Sequence, residues 1–193
     1  MTTYAAVACG ALLVTVIGVS WVGKLRAQAA FAASIGALRM FPGRAWAPVA
    51  GLLTAAEGAV VLTLSASVFA GPRAALAGFL GAAVLMTVFC LVVATVIRRD
   101  VRASCNCFGR AGARYSARHV VRNALLAAVA LAGAVASQTA ALTHPAGTAL
   151  AVATGVVVAL LVVVMDDVAE LFGAGGATAA AGARRGGSGA GRG

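Results

Sequence analysis

Long apolar segments without charged residues, separated by short polar connections, dominate the pattern along the chain. Residues 4–23 carry no charge, residues 45–72 carry only Glu57, and residues 74–97 are again uncharged. A helix of about 20 apolar residues is enough to cross a hydrocarbon core of about 30 Å. The pattern therefore predicts three transmembrane helices, at about 4–23, 46–70 and 74–97.

A further uncharged segment of 43 residues runs from Asn123 to Met165. As a single helix it would be roughly 65 Å long, about twice the thickness of the hydrocarbon core. The chain must therefore turn back within it. Pro145, at the end of a polar stretch, marks the best place, because proline disfavours helix in the residue before it. This predicts two more helices, at about 120–141 and 146–165.

The segment after Phe172 differs in composition from the rest of the chain. It consists of small and polar residues with three arginines, and it has no aromatic residue to bury. Such a composition is typical of disordered chain. We therefore predict one transmembrane domain over residues 1–172 and a disordered, Gly/Ala/Arg-rich cytoplasmic tail over residues 173–193.

Overall composition agrees with a membrane protein. The chain is 62% hydrophobic and 10% charged, with a mean hydropathy of +0.98. Soluble domains are about 45–50% apolar and about 25% charged. The net charge of +10 does not indicate nucleic-acid binding, because the basic residues lie between apolar segments and form no continuous stripe with interleaved aromatic residues.

The positions of the basic residues predict the orientation in the membrane. The first connection, the third connection with the start of the next helix, and the tail together hold 14 of the 15 Lys and Arg residues, and only Arg73 falls on the other face. Positively charged connections stay in the cytoplasm. We expect five helices, with the amino terminus outside and the carboxy terminus cytoplasmic. The alternative is a four-helix bundle with one re-entrant segment, which would place the tail arginines outside.

The sharpest local feature is a pair of cysteines, Cys105 and Cys107, in the third connection. Asn106 separates them, and Phe108 and Gly109 follow. A turn favoured by the asparagine and the glycine would bring the two thiols within disulfide distance, and the small ring would be comparatively easy to reduce. The neighbouring arginines would stabilise thiolates and so increase their reactivity. These features favour a redox-active pair in a cytoplasmic loop.

Two other interpretations of the cysteine pair remain open, an inert turn and a metal site. A closed zinc site takes four ligands, and His119 is the only other good ligand close in sequence, which disfavours metal. Cys90 and Cys9, in the third and first helices, could exchange with the pair. They are more simply interpreted as small apolar residues that pack within helices.

Glu57 lies near the middle of the second predicted helix. An ionisable side chain there costs several kcal/mol unless it faces the bundle interior, pairs, or takes up a proton. It is therefore a candidate to carry a proton or to form a hydrogen bond with a quinone or another substrate. The simpler interpretation is a hydrogen bond from Glu57 to a neighbouring helix.

No P-loop, GxSxG, HExxH or paired-carboxylate pattern is present in the sequence. A hydrolase or a nucleotide-driven machine therefore has no visible site.

The cysteine segment resembles the CxCFG signature that follows a third helix in the MauE family, methylamine-utilisation membrane proteins related to the broader DoxX-like group. The first half of the chain is similar to this family as well, over Gly23-Lys24-Leu25, Phe31, Ser34, Pro48 and Glu57-Gly58. The resemblance covers about residues 4–142. The sequence departs from the family at Asn106, where many members have glycine, and at Ala27-Gln28, where members commonly carry an acidic residue.

The resemblance implies a bundle of four or five helices with Cys105, Cys107 and Glu57 as site residues. It also implies a thiol-disulfide redox accessory that matures an exported protein, such as the small subunit of methylamine dehydrogenase, together with a thioredoxin-like partner. Because cytoplasmic thiols are kept reduced, the pair would more naturally accept electrons from a cytoplasmic donor and pass them outward than oxidise a client directly. The alternative is a non-enzymatic small-molecule transporter or membrane assembly factor.

Overall fold

The computed structural model describes backbone for residues 2–38, 45–99, 104–105, 113–114, 117–138 and 144–186, and side chains for residues 2–38, 45–99, 117–138 and 144–165. The helices are α1 Thr2–Arg26, α2 Gln28–Ala37, α3 Trp46–Ala70, α4 Pro72–Arg98, α5 Ala117–Ala136 and α6 Pro145–Gly186. Within these ranges, five helices are long and apolar enough to cross a membrane, with Pro145–Met165 as the candidate span of α6. The predicted all-α bundle of five spanning helices is confirmed.

Helix α1 lies at the centre of the bundle. It packs against α3, α5 and α6, while α4 packs against α3 and α5. The core therefore forms around α1 side chains such as Leu13 and Ile17, together with small residues from other helices, among them Ala82 and Ala130. Small residues allow helix backbones to approach closely, which is how helices associate in lipid.

The short helix α2 was not predicted from the sequence, which was interpreted as a connection after residue 23. The structure shows that α2 continues the path of α1 along α3. Thr54 donates a hydrogen bond to the Gln28 side chain over 3.2 Å, and Phe31 and Ile35 pack around Ala50 further along. The Ala-rich sequence favours helix here, and burial against α3 stabilises a segment too short to be helical alone.

The connection between α3 and α4 is a single residue, Gly71, with φ of 85°. Glycine adopts this left-handed conformation without steric cost. Pro72 then occupies the first turn of α4, where its missing N–H is not needed. The two helices are therefore held as an antiparallel pair.

A small antiparallel β-hairpin joins α4 to α5. Strand β1, Ser104–Cys105, pairs with β2, Ala113–Arg114, so that Cys105 lies opposite Ala113. We call the end of the bundle where α4 ends and α5 begins the hairpin end.

Helix α6 extends further than the predicted span 146–165, since it continues to Gly186. The segment 173–186, predicted to be disordered, is thus helical in backbone. Its many alanines have the highest helix propensity, and no proline follows Pro145 to stop the helix. Residues 187–193 of the predicted tail lie outside the described residues.

Candidate functional site

A buried ion pair lies inside the bundle, between α1 and α3. The Lys24 ammonium group donates a hydrogen bond to Oε1 of Glu57, and the two side chains are each only 1% exposed. Lys24 also donates to the Ser20 hydroxyl over 3.0 Å, and Ser20 lies 3.4 Å from Oε1 of Glu57. Ser20 and Lys24 are four residues apart, so they lie on one face of α1. The three groups form one buried polar cluster.

Two aromatic rings complete the surroundings of the ammonium group. The Lys24 nitrogen lies 5.1 Å from the centre of the Phe31 ring and 4.9 Å from the centre of the Phe89 ring. Both distances are within the range of cation–π attraction, which is strengthened where water is excluded. Lys24 is therefore held by one carboxylate, one hydroxyl and two rings.

Close packing of α1 and α3 places this cluster. A Cβ atom at Gly58 would lie 2.8 Å from Cε2 of Trp21, so the indole occupies the space that a side chain at residue 58 would need. Residues next to this contact, Lys24 on α1 and Glu57 on α3, are thereby brought face to face. Glycine at 58 is required by the approach of the Trp21 ring.

The second carboxylate oxygen of Glu57 is buried without a hydrogen-bond partner among the described groups. Buried polar atoms in proteins are almost always hydrogen-bonded, and an orphaned acceptor costs free energy, more so when it is charged. Oε2 of Glu57 is therefore available to accept a hydrogen bond from a molecule bound beside it.

A cavity of about 90 Å³ lies beside the cluster, toward the hairpin end. Most of its wall is apolar, from side chains of α1 to α5. The polar residues that line it are Ser20, Lys24, Glu57, His119, Arg122 and Asn123. Three of these come from the first two turns of α5, where His119 and Asn123 are buried. The cavity is thus an apolar chamber lined by polar groups from α1, α3 and α5, and a mostly apolar wall with a few polar groups is usual in small-molecule sites.

One wall of the cavity reaches the outer surface of the bundle. Val88 lines the cavity and is also 40% exposed. It belongs to α4, whereas Phe31, Ile35 and Leu38 on the facing wall belong to α2. Since α2 packs on α3, and α4 packs on α3 and α5, the cavity occupies the space between α2 and α4.

The predicted site residues lie in different parts of the chain, and the structure describes only some of them. Glu57 is at the centre of the buried cluster. Cys105 lies in β1, at the hairpin end, and Cys107 lies outside the described residues. Cys9 and Cys90 are free thiols; the Cys90 thiol donates to the carbonyl of Val120 over 3.6 Å and so links α4 to α5.

Sequence reasoning missed the partner of Glu57, because Lys24 was counted among the charges of the first connection. The structure corrects this placement: Lys24 is buried two residues before the end of α1. The sequence signalled only that a partner is needed, since a lone carboxylate in a span is costly without one. It did not single out Lys24, which lies at the end of an apolar segment.

Comparison with known proteins identifies the family. Residues 2–136 match the family described as methylamine utilisation protein MauE. The chain belongs to this family. No curated protein and no solved structure matches it. The MauE match covers α1 to α5 and the hairpin, and therefore includes the buried pair and the whole cavity wall, whereas α6 lies beyond it.

The MauE resemblance noted in the sequence rests partly on residues that the structure brings together. Lys24, Phe31, Glu57 and Gly58 are spread over 35 positions of the sequence, yet all four belong to the cluster or to the packing that positions it. The chain is thus a multi-pass membrane protein of the MauE family with an internal lysine–glutamate pair.

Proposed function

We propose that this protein is a thiol-disulfide redox accessory of the membrane, in which Cys105 and Cys107 alternate between dithiol and disulfide. One observation carries the proposal. The hairpin that contains Cys105 is joined directly to α4 and α5, and both helices line the cavity beside the buried Lys24–Glu57 pair. A thiol-bearing loop and a buried ionisable site therefore share one end of the bundle.

The proposed client is an exported protein that needs disulfides, of which the small subunit of methylamine dehydrogenase is the example suggested by the MauE resemblance. A thioredoxin-fold partner would exchange with the cysteine pair by thiolate attack through a mixed disulfide. The distribution of arginines supports an orientation with the pair at the cytoplasmic face of the cell membrane and the amino terminus outside.

The experiment uses the full chain reconstituted in lipid vesicles. Disulfide transfer between the protein and a thioredoxin is followed by maleimide modification of free thiols. Cys105→Ser and Cys107→Ser should each abolish transfer, while Cys9→Ser and Cys90→Ser serve as matched controls and should retain it. Full transfer by either loop variant would exclude a relay through this pair.

A second function, a non-enzymatic transporter or assembly factor, is favoured by the cavity itself, since Glu57 would line the path of a small molecule. In that case Glu57→Gln would impair function and Cys105→Ser would not. The redox proposal requires that the cysteine variant fails.

A further inference from the structure

We propose that the cavity between α2 and α4 binds the ring of a membrane-dissolved quinone in its oxidised and reduced forms, with Oε2 of Glu57 accepting a hydrogen bond from the hydroxyl group of the hydroquinone. This inference adds a ligand to the proposed function. The electron-transfer step of the inference rests on the proposed function, and the quinone-binding site does not.

The ion pair limits the chemistry of a ligand bound beside Glu57. Lys24 and Glu57 neutralise each other, so neither a cation nor an anion has an uncompensated partner in the pair. Oε2 of Glu57 is an acceptor without a hydrogen-bond partner among the described residues, and it calls for a ligand with a hydrogen-bond donor. Arg122, which also lines the cavity, carries donor groups only, so a ligand that meets both residues needs a donor and an acceptor. A carboxylate or phosphate ligand would instead bring an acceptor toward this oxygen. A neutral molecule with a hydroxyl group fits.

The wall of the cavity favours an apolar body that carries more than one polar group. Glu57 lines the cavity from α3 and Asn123 lines it from α5, and most of the remaining wall is apolar, including Met86 and Val93 on α4. A hydroquinone has hydroxyl groups at opposite ends of an apolar ring, and a quinone has carbonyls there. The amide of Asn123 can donate to a carbonyl and accept from a hydroxyl.

The exposed part of the wall indicates the route of entry. Val88 faces outward and lines the cavity at the same time. In a membrane the outward face of α4 meets lipid chains. A ligand dissolved in lipid therefore reaches the cavity between α2 and α4 without crossing water.

The redox step transfers two electrons and two protons from the cysteine pair to the bound quinone. The thiols of Cys105 and Cys107 lose two electrons and two protons and form one disulfide bond, and the quinone takes up both and becomes the hydroquinone. A thioredoxin-like donor then reduces the disulfide again. The quinone supplies the oxidant that a disulfide in a reducing compartment requires.

The binding test uses the purified full chain in lipid nanodiscs and a benzoquinone with a decyl chain as the probe. Quinone binding should quench the fluorescence of Trp21, which packs beside Glu57, and the quenching should saturate. The hydroquinone form is measured by competition. The double variant Lys24→Met/Glu57→Leu, which removes both charges together, should weaken hydroquinone binding by about tenfold or more.

A matched pair on α4 tests the entry route without touching the ion pair. Val88→Phe narrows the cavity and should weaken quinone binding, whereas Val84→Phe, at an exposed position one turn away that does not line the cavity, should leave it unchanged. Equal affinities in wild type, Val88→Phe and the double variant, or quenching that never saturates, would overturn the site.

The two proposals fail separately. Cys105→Ser/Cys107→Ser should abolish disulfide transfer and leave quinone binding intact. Normal transfer in wild type without saturable quinone binding would overturn this inference alone. Saturable binding in a protein whose transfer is indifferent to the cysteines would overturn the proposed function and the redox step, while the quinone site would stand.

Discussion

Lys24 and Glu57, which are 33 residues apart in the chain, form an ion pair in the interior of the bundle, with the Ser20 hydroxyl beside them. Two opposite charges in a low-dielectric interior stabilise each other but not the bundle as a whole, because each has lost its hydration. The pair instead fixes α1 against α3, and it leaves one carboxylate oxygen of Glu57, a residue that lines the cavity, without a hydrogen-bond partner among the described residues.

Removing one member of the pair should be more damaging than removing both. Glu57→Leu leaves the buried ammonium group of Lys24 without its counter-ion, which costs about 3–5 kcal/mol. Lys24→Met/Glu57→Leu replaces the pair with apolar side chains of similar size and should recover most of this loss. The measurement is the unfolding free energy in mixed micelles. A double variant as unstable as Glu57→Leu would show that the charges are not coupled.

Gly58→Ala should separate α1 from α3 at the site. The added methyl group would lie under 3.0 Å from the Trp21 ring, so that the indole must move, at a cost of about 1–3 kcal/mol. Gly51→Ala on the same helix meets nothing within 4 Å and is the matched control. Thermal unfolding in detergent compares the two. Equal midpoints would mean that the Trp21 contact does not set the helix spacing.

Tyr4→Phe tests the opposite end of the bundle. The backbone N–H of His144 donates to the Tyr4 hydroxyl over 2.9 Å, which ties α1 to the start of α6. Loss of this one bond should lower the unfolding free energy by about 0.5–1.5 kcal/mol. Because the site lies far along α1 from Tyr4, disulfide transfer should be unchanged. A loss of transfer would mean that the two ends of α1 are coupled.

The number and approximate positions of the spanning helices were predictable because charge is expensive in lipid. The uncharged segments 46–70 and 74–97 differ from α3 and α4 by at most two residues at either end. Helix α2 was not predictable by the same argument. Its helical state depends on contact with α3 through Phe31 and Ile35, and the apolar pattern of ten residues is too short to indicate a helix alone.

The candidate site was predictable only in part. Glu57 stands out because it is the single charge in a long apolar segment. Lys24 does not, since it lies where an apolar segment ends, and there a basic residue normally faces the headgroups. His119 and Asn123 were equally hidden, because their position on the cavity wall depends on how α5 packs against α1 and α4.

The most direct test of the account is the redox state and the accessible side of the cysteine pair in the membrane. A membrane-impermeant maleimide is applied to intact cells and to inverted vesicles, with and without prior reduction, to a chain with Cys9→Ser and Cys90→Ser. The account predicts that Cys105 and Cys107 react only in inverted vesicles and only after reduction. Modification without reduction would contradict a redox-active disulfide, and modification in intact cells would contradict the cytoplasmic orientation.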